Sequence, residues 1–180
     1  MKDKVKIHDK VFKPMITNEQ IEKVIDKVAD KINHDFEGCT DVPVILCILN
    51  GSILFTAELM KRLDFDVELV SMKLSSYVGT TSTGNVRQVM GLTGSLEGKR
   101  VIIVEDIVDT GATAYQLRQT LLERKPRSVK MATLLFKPDS LKLGTSPEYV
   151  GFEIPSKFII GYGLDLDGQA RNLSDIYVVK

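Results

Sequence analysis

The densest chemistry in the chain lies in one thirteen-residue run from Val101 to Thr113. Val101-Ile102-Ile103-Val104 is a row of β-branched residues, the composition of a buried parallel strand. Two adjacent carboxylates, Glu105 and Asp106, follow at its carboxyl end, where open α/β sheets place their ligands. A third carboxylate, Asp109, leads into Thr110-Gly111-Ala112-Thr113 and then a helical pattern through Ala114, Leu117 and Leu121. Free backbone N–H groups and the helix dipole suit the small-residue loop to a phosphate. The acidic pair suits ribose hydroxyls or a bridging cation. An acidic pair after an apolar strand is by itself usually only a solvated strand end. The whole ordered string favours a seat for a sugar phosphate over a plain strand-turn-helix. No Gly-x-x-x-x-Gly-Lys-Ser/Thr occurs, and no Gly-x-Gly-x-x-Gly opens a helix, which argues against P-loop and dinucleotide-binding folds.

These residues need a scaffold, and the rest of the chain supplies one. Its 180 residues, 43% of them hydrophobic, suit one globular domain. Lysine plus arginine and aspartate plus glutamate number 24 each, so no overall field favours nucleic acid or a membrane surface. No apolar run reaches the ~18 residues of a membrane span. Met1-Lys2-Asp3-Lys4 has no apolar segment of a secretion signal, and Cys39 and Cys47 read as reduced thiols. A cytoplasmic protein is therefore expected. His8 and His34 fall in no metal-ligand spacing.

Thr17-Asn18-Glu19-Gln20 has capping-box spacing, and Ile21, Val24, Ile25, Val28 and Ile32 share a face of a helix ending near His34. Val42–Leu49 is an apolar strand, Ile53–Leu63 a helix and Val67–Tyr77 a second strand. Ala114–Arg124 is the helix of the signature, and Val129–Phe136 a further strand. Strands alternating with helices indicate a doubly wound parallel sheet flanked by helices. Between them, Val78–Val86 lacks large apolar groups and is expected to act as a lid. After Lys137-Pro138, short apolar runs broken by Pro, Gly and Asp suggest a small irregular subdomain over the sheet's carboxyl edge. The expected organisation is one domain over residues 1–180, with a core over about 18–136. A hood is expected from about 1–17 and 137–180.

The signature resembles the phosphoribosyl-pyrophosphate (PRPP) motif of the type I phosphoribosyltransferases. Further segments narrow the likeness: Leu49-Asn50-Gly51-Ser52, Ser76-Tyr77, Leu134-Leu135-Phe136-Lys137, Val150–Pro155, Lys157–Asp165 and Arg171-Asn172-Leu173. In order from about Val42 to Val179, they resemble the hypoxanthine-guanine phosphoribosyltransferases. The resemblance implies transfer of phosphoribose from PRPP to a 6-oxopurine, with Mg²⁺, in a homodimer or homotetramer. It implies that Glu105 and Asp106 hold the ribose hydroxyls and serve the metal with Asp165. Asp109 is implied as general base or proton relay at purine N7, beside a phosphate loop of Asp109, Thr110, Gly111, Ala112 and Thr113. Asn50, Gly51, Ser76, Tyr77 and Arg171 are implied on the pyrophosphate side, with a cis peptide at Leu49–Asn50. Lys137, Phe158, Ile159 and Asp165 are implied around the purine, Phe158 by stacking and Lys137 by reaching O6.

Each of these residues also has a bland reading. Asp109 also reads as a cap for the following helix, Phe158 as core, and Lys137 as a solvated strand end. Two departures from well-known animal members stand out, Asn50 and Ala112 in place of lysines. Two other functions remain open: another base preference, such as xanthine, and a PRPP-sensing regulator that binds nucleic acid. The regulator would need a basic surface or an added domain.

Overall fold

A computed structural model describes residues 2–76, 86–90 and 94–180, with the side chains of 75, 76 and 86–90 left aside. In chain order the elements are β1 (Val5–Ile7), β2 (Lys10–Ile16), α1 (Asn18–Asp35), β3 (Val44–Leu49), α2 (Ile53–Met60), β4 (Glu68–Ser76), β5 (Val86–Met90), β6 (Arg100–Val108) and α3 (Ala112–Leu122). Then come β7 (Ser128–Phe136), β8 (Tyr149–Glu153), β9 (Ile159–Ile160) and β10 (Ile176–Val179). The expected lid, Val78–Val86, lies outside the described residues apart from the backbone of Val86, and so does Tyr77.

Six strands form the main sheet in the order β5-β4-β3-β6-β7-β8. The five from β4 to β8 are parallel, and β5 lies antiparallel on β4. The parallel α/β core expected from the alternation of strands and helices is therefore present. Side chains alternate across it. Ile45, Ile102 and Val104 pack with Ile21 and Ile25 of α1 and Phe55 and Leu59 of α2. Val44, Leu46, Val101 and Ile103 pack with Leu117 and Leu121 of α3. Each such side chain contributes roughly 1.5–3 kcal/mol by burial, so both faces of the sheet are held down.

Helix α1 begins as its sequence requires. Thr17 Oγ1 accepts from the Gln20 N–H at 3.1 Å, and Gln20 Oε1 accepts from the Thr17 N–H at 2.9 Å, completing a capping box. Helix α2 stops at Met60, three residues short of expectation, and α3 starts two residues early, at Ala112. No helix among the described residues is long and apolar enough to cross a membrane.

Two differences from the sequence reading matter for the site. First, β6 does not stop at Val104. Its ladder with β3 ends at Cys47↔Val104, while the ladder with β7 continues through Glu105↔Thr133 to Val108↔Phe136. The acidic pair thus sits inside the strand, just past the point where β3 leaves it. Second, the segment after Lys137 is more regular than its Pro and Gly suggested. Strand β8 is the sixth strand of the main sheet, parallel to β7, rather than part of a hood. It follows a 3₁₀ turn (Pro138–Ser140) and a loop in place of a crossover helix, so no helical period announced it. β9 and β10 join β2 and β1 in a second, antiparallel sheet, order β1-β2-β10-β9. Those pairings link the two ends of the chain, and no local pattern reveals such contacts.

Candidate active site

The strand order places the site. From β3 the chain moves outward to β4; it then crosses to β6 and moves the other way to β7 and β8. The boundary between β3 and β6 is therefore the topological switch point, and the crevice at its carboxyl ends is where such sheets bind ligands. The loop after β3 (Asn50, Gly51, Ser52) and the segment from Glu105 to Thr113 form its two sides.

On the β6 side, Gly111 is the N-cap of α3 with φ 80°, a left-handed backbone that glycine adopts freely. A Cβ there would collide with the Leu143 carbonyl. The Thr110 carbonyl accepts from the Lys142 and Leu143 N–H groups at 3.0 and 3.2 Å, which fixes the loop from outside. The first intrahelical acceptor is the Gly111 carbonyl, taken by the Tyr115 N–H at 2.8 Å. The N–H groups just ahead of Tyr115 have no helical acceptor and are available to an anion. A concavity of about 120 Å³ lined by Glu105 and residues 107–114 opens over this helix start.

Glu105 is buried, and desolvation, reinforced by the neighbouring Asp106 charge, pushes its carboxyl well above the usual range. Burial also raises Asp106, partly offset by the Ile107 N–H donating to its Oδ1 at 2.8 Å and by the Arg171 charge. Asp106 stands so close to Gly51 that a Cβ at residue 51 would overlap its carboxylate. Gly163 in turn lies on the Gly51 carbonyl, where a Cβ would also collide. Arg171 donates to the Gly163 carbonyl at 2.6 Å and pairs with Asp165 at 2.7 Å, and the Gly168 N–H donates to Asp165 Oδ2 at 2.7 Å. One packed series, Asp106–Gly51–Gly163–Arg171–Asp165, therefore joins three separate parts of the chain. The Leu49–Asn50 peptide is cis, as the resemblance implied. Behind it Ser52 is fully buried, its Oγ donating to the Ile48 carbonyl at 2.7 Å.

Lys137 is buried and its Nζ donates to Asp109 Oδ2 at 2.7 Å. Asp109 makes no cap for α3, whose N-cap is Gly111 without a side-chain bond. Phe158 is 44% exposed, too open for a core residue. Its ring lies 6.2 Å from that of the buried Phe12, and Lys10 Nζ stands 5.4 Å from its centroid. Ile159 is buried in β9, so its side chain belongs to the core.

The residues named from sequence are thus mostly gathered around one crevice. Glu105, Asp106 and Asp165 do not converge as a closed metal cage. Among the described residues no three His, Cys, Asp or Glu side chains do so. Neighbours on a strand point to opposite faces, which parts Glu105 from Asp106. The Ser76 backbone ends β4, and Tyr77 lies outside the described residues. The sequence reading missed Gly163, the Lys142–Leu143 segment and Lys10. Only Gly163 had a local signal, as one of two glycines flanking Tyr162 in a β-rich run.

Residues 15–167 match the family model described as phosphoribosyl transferase domain. The chain is 39% identical over 173 residues to the hypoxanthine-guanine-xanthine phosphoribosyltransferase of Tritrichomonas foetus, covering 96% of this chain and 93% of that one. It is 36% identical over 175 residues to the bifunctional protein TilS/HprT of Listeria innocua, covering 97% of this chain but only 27% of that longer protein. The crystal structure of a hypoxanthine-guanine phosphoribosyltransferase from Bacillus anthracis superposes with a TM-score of 0.88 at 38% identity, covering 97% of this chain and all of that one.

Proposed function

This chain belongs to the hypoxanthine-guanine phosphoribosyltransferases, within the phosphoribosyl transferase family, and on that premise we propose a role for each residue of the crevice. The enzyme salvages purines, converting a base and PRPP to the nucleotide and pyrophosphate. The observation that carries the residue-level reading is the juxtaposition at one switch point of a phosphate seat, a buried acidic strand end and the Asp109–Lys137 pair.

The 5′-phosphate of PRPP sits on the helix start at residues 110–113, held by backbone N–H groups of Thr110, Gly111, Ala112 and Thr113. Because the backbone does this work, Ala112 needs no side-chain charge. Glu105 and Asp106 accept from the ribose hydroxyls. Pyrophosphate leaves toward Asn50 and Gly51, where the planar guanidinium fork of Arg171 suits it, and the family resemblance adds Ser76 and Tyr77 to its contacts. The purine stacks on the exposed face of Phe158 beside Ile159, with Lys137 donating to O6 and Asp109 taking the N7 proton. An ammonium only donates, so it accepts a 6-oxo group and opposes a 6-amino group.

The reaction uses a divalent metal, which we assign as Mg²⁺. Glu105, Asp106 and Asp165 supply the hard oxygen donors that would hold it. When bound there, the ion would supply Lewis-acid neutralisation of the leaving pyrophosphate. A homodimer or homotetramer in the cytoplasm completes the reading. The balance of 24 basic and 24 acidic residues gives a nucleic-acid-binding regulator no support.

Steady-state kinetics with hypoxanthine, guanine, xanthine and adenine, each with PRPP, tests the assignment. Turnover of the 6-oxopurines at least a hundredfold above adenine is expected. Equal use of adenine would overturn the role given to Lys137.

A further inference from the structure

The Lys137–Asp109 pair joins two groups that the reaction needs apart. Resting on the residue roles proposed above, we infer that this ion pair is a latch: it holds the general base idle until a 6-oxopurine draws Lys137 away.

Three observations carry the latch. The Nζ–Oδ2 separation is 2.7 Å, a charge-assisted hydrogen bond. The Lys137 side chain is 9% exposed, whereas that of Asp109 is 46% exposed, so the ammonium depends on the carboxylate far more than the reverse. Asp109 has no competing task at the helix, because Gly111 occupies the N-cap position and no side-chain cap bond forms. While the latch is closed, Asp109 Oδ2 is taken by the ammonium and is not offered to a purine N–H, even though it stands in the right place.

O6 and N7 are neighbours on one edge of a 6-oxopurine. As the base enters, O6 accepts from the Lys137 ammonium and satisfies the buried cation, which releases Asp109 to the adjacent N7–H. The electron accounting is simple. N9 forms a bond to ribose C1, the C1–O bond breaks and its electron pair leaves on pyrophosphate. The N7–H bond breaks, its electron pair stays in the ring, and the proton passes to Asp109. Adenine carries a 6-amino group that donates and cannot receive the ammonium. Lys137 therefore stays on Asp109, and an adenine that binds still meets an idle base. Discrimination then acts on turnover as well as on binding.

This separates the latch from a simple donor role for Lys137. If Lys137 only contacts O6, its removal lowers use of hypoxanthine and eases adenine binding, so KM for adenine falls while its kcat stays put. If it also latches Asp109, Lys137→Met frees the base, and kcat for adenine rises about tenfold, or about 1.4 kcal/mol. KM for PRPP is expected to stay unchanged. Methionine fills a similar volume without a donor or a charge, and the released Asp109 can reach solvent. In Lys137→Met/Asp109→Asn the gain disappears. An adenine kcat in Lys137→Met no higher than in the parent enzyme overturns the latch. The parent enzyme's preference for hypoxanthine, measured alongside, tests the residue roles independently. A second measurement needs no variant: crystal structures of the parent enzyme alone, with hypoxanthine and with adenine, each alongside a non-reactive PRPP analogue and Mg²⁺. The pair is expected closed alone and with adenine, and parted beyond 3.5 Å with hypoxanthine. A pair still closed with hypoxanthine bound overturns the latch.

Discussion

The carboxylate of Asp106 occupies the space that any side chain at residue 51 would need, so Gly51 and Asp106 form one surface across the β3–β6 boundary. The loop that faces pyrophosphate is therefore shaped by a residue on the ribose side. Gly163 presses on Gly51 from the far side, which leaves the loop little room to yield.

Gly51→Ala is accordingly expected to displace the Asp106 carboxylate. Overpacking of this kind costs about 1–3 kcal/mol, and here the cost falls on the site. PRPP kcat/KM should fall about tenfold to a hundredfold, while KM for the base changes little. Unchanged PRPP kinetics in a folded variant would show that Asp106 does not position the sugar.

Asp109→Asn removes the proton acceptor and keeps the shape. As general base Asp109 should contribute about 10²–10⁴ in rate. A fall of that size in kcat, with KM for PRPP within about threefold, is expected. A variant that retains parental kcat excludes Asp109 from proton transfer.

Much of this arrangement was legible in the sequence, and the reasons differ by element. The capping box at Thr17 and the β-branched run at Val101–Val104 are local signals, and a helix and a strand formed there, the strand running on to Val108. Glu105, Asp106 and Asp109 could be found because carboxylates directly after an apolar strand are chemically conspicuous. By contrast, nothing local marks Tyr149–Glu153 as the sixth strand of the main sheet, since its pairing with β7 is reached through a loop. The same holds for the seating of Gly163 on Gly51 and for the tie from Lys142 and Leu143 to Thr110. These are long-range contacts made through backbone atoms, for which residue type carries no code. Lys137 was assigned to the purine side only through the family resemblance, and its closure on Asp109 had no local signal, because that depends on how β6 and β7 lie in register.

Glu105 is costly to the folded chain when charged. Its folded-state pKa is raised by burial, so its contribution to stability is fully present below the ordinary glutamate pKa and is lost as pH rises through the raised value. Glu105→Gln removes that loss. The variant's melting temperature should exceed the parent's at pH 8 by about 2–4 °C per kcal/mol relieved, and the difference should shrink at pH 4. PRPP binding should weaken in the same variant. A melting temperature that falls at pH 8 would mean that the charge is compensated.

Phe158 offers its ring to solvent, and among the described residues Phe12 and Lys10 lie against that ring. Phe158→Ala should raise KM for hypoxanthine and guanine roughly tenfold, in line with the ~1–3 kcal/mol of base–aromatic stacking. KM for PRPP and the melting temperature should move little, since the residue adds little to the core. A large loss of stability with unchanged base KM would instead make it a packing residue.

Tyr162 carries the last expectation. It is buried between Gly161 and Gly163, with a left-handed backbone of φ 47°, and its hydroxyl has no hydrogen-bond partner among the described residues. Burial, with the charges of Glu22 and Glu58, raises its pKa, so the hydroxyl stays neutral and simply goes unsatisfied. A buried polar group without a partner costs about 1–3 kcal/mol. Tyr162→Phe deletes that oxygen and keeps the ring that packs with the α1 and α2 residues of the core. The variant should unfold at a denaturant midpoint higher than the parent's, by about 1 kcal/mol or more in stability. Since neither Gly161 nor Gly163 is altered, the PRPP and base kinetics should stay within about twofold. A loss of stability instead would mean that the hydroxyl is satisfied in solution.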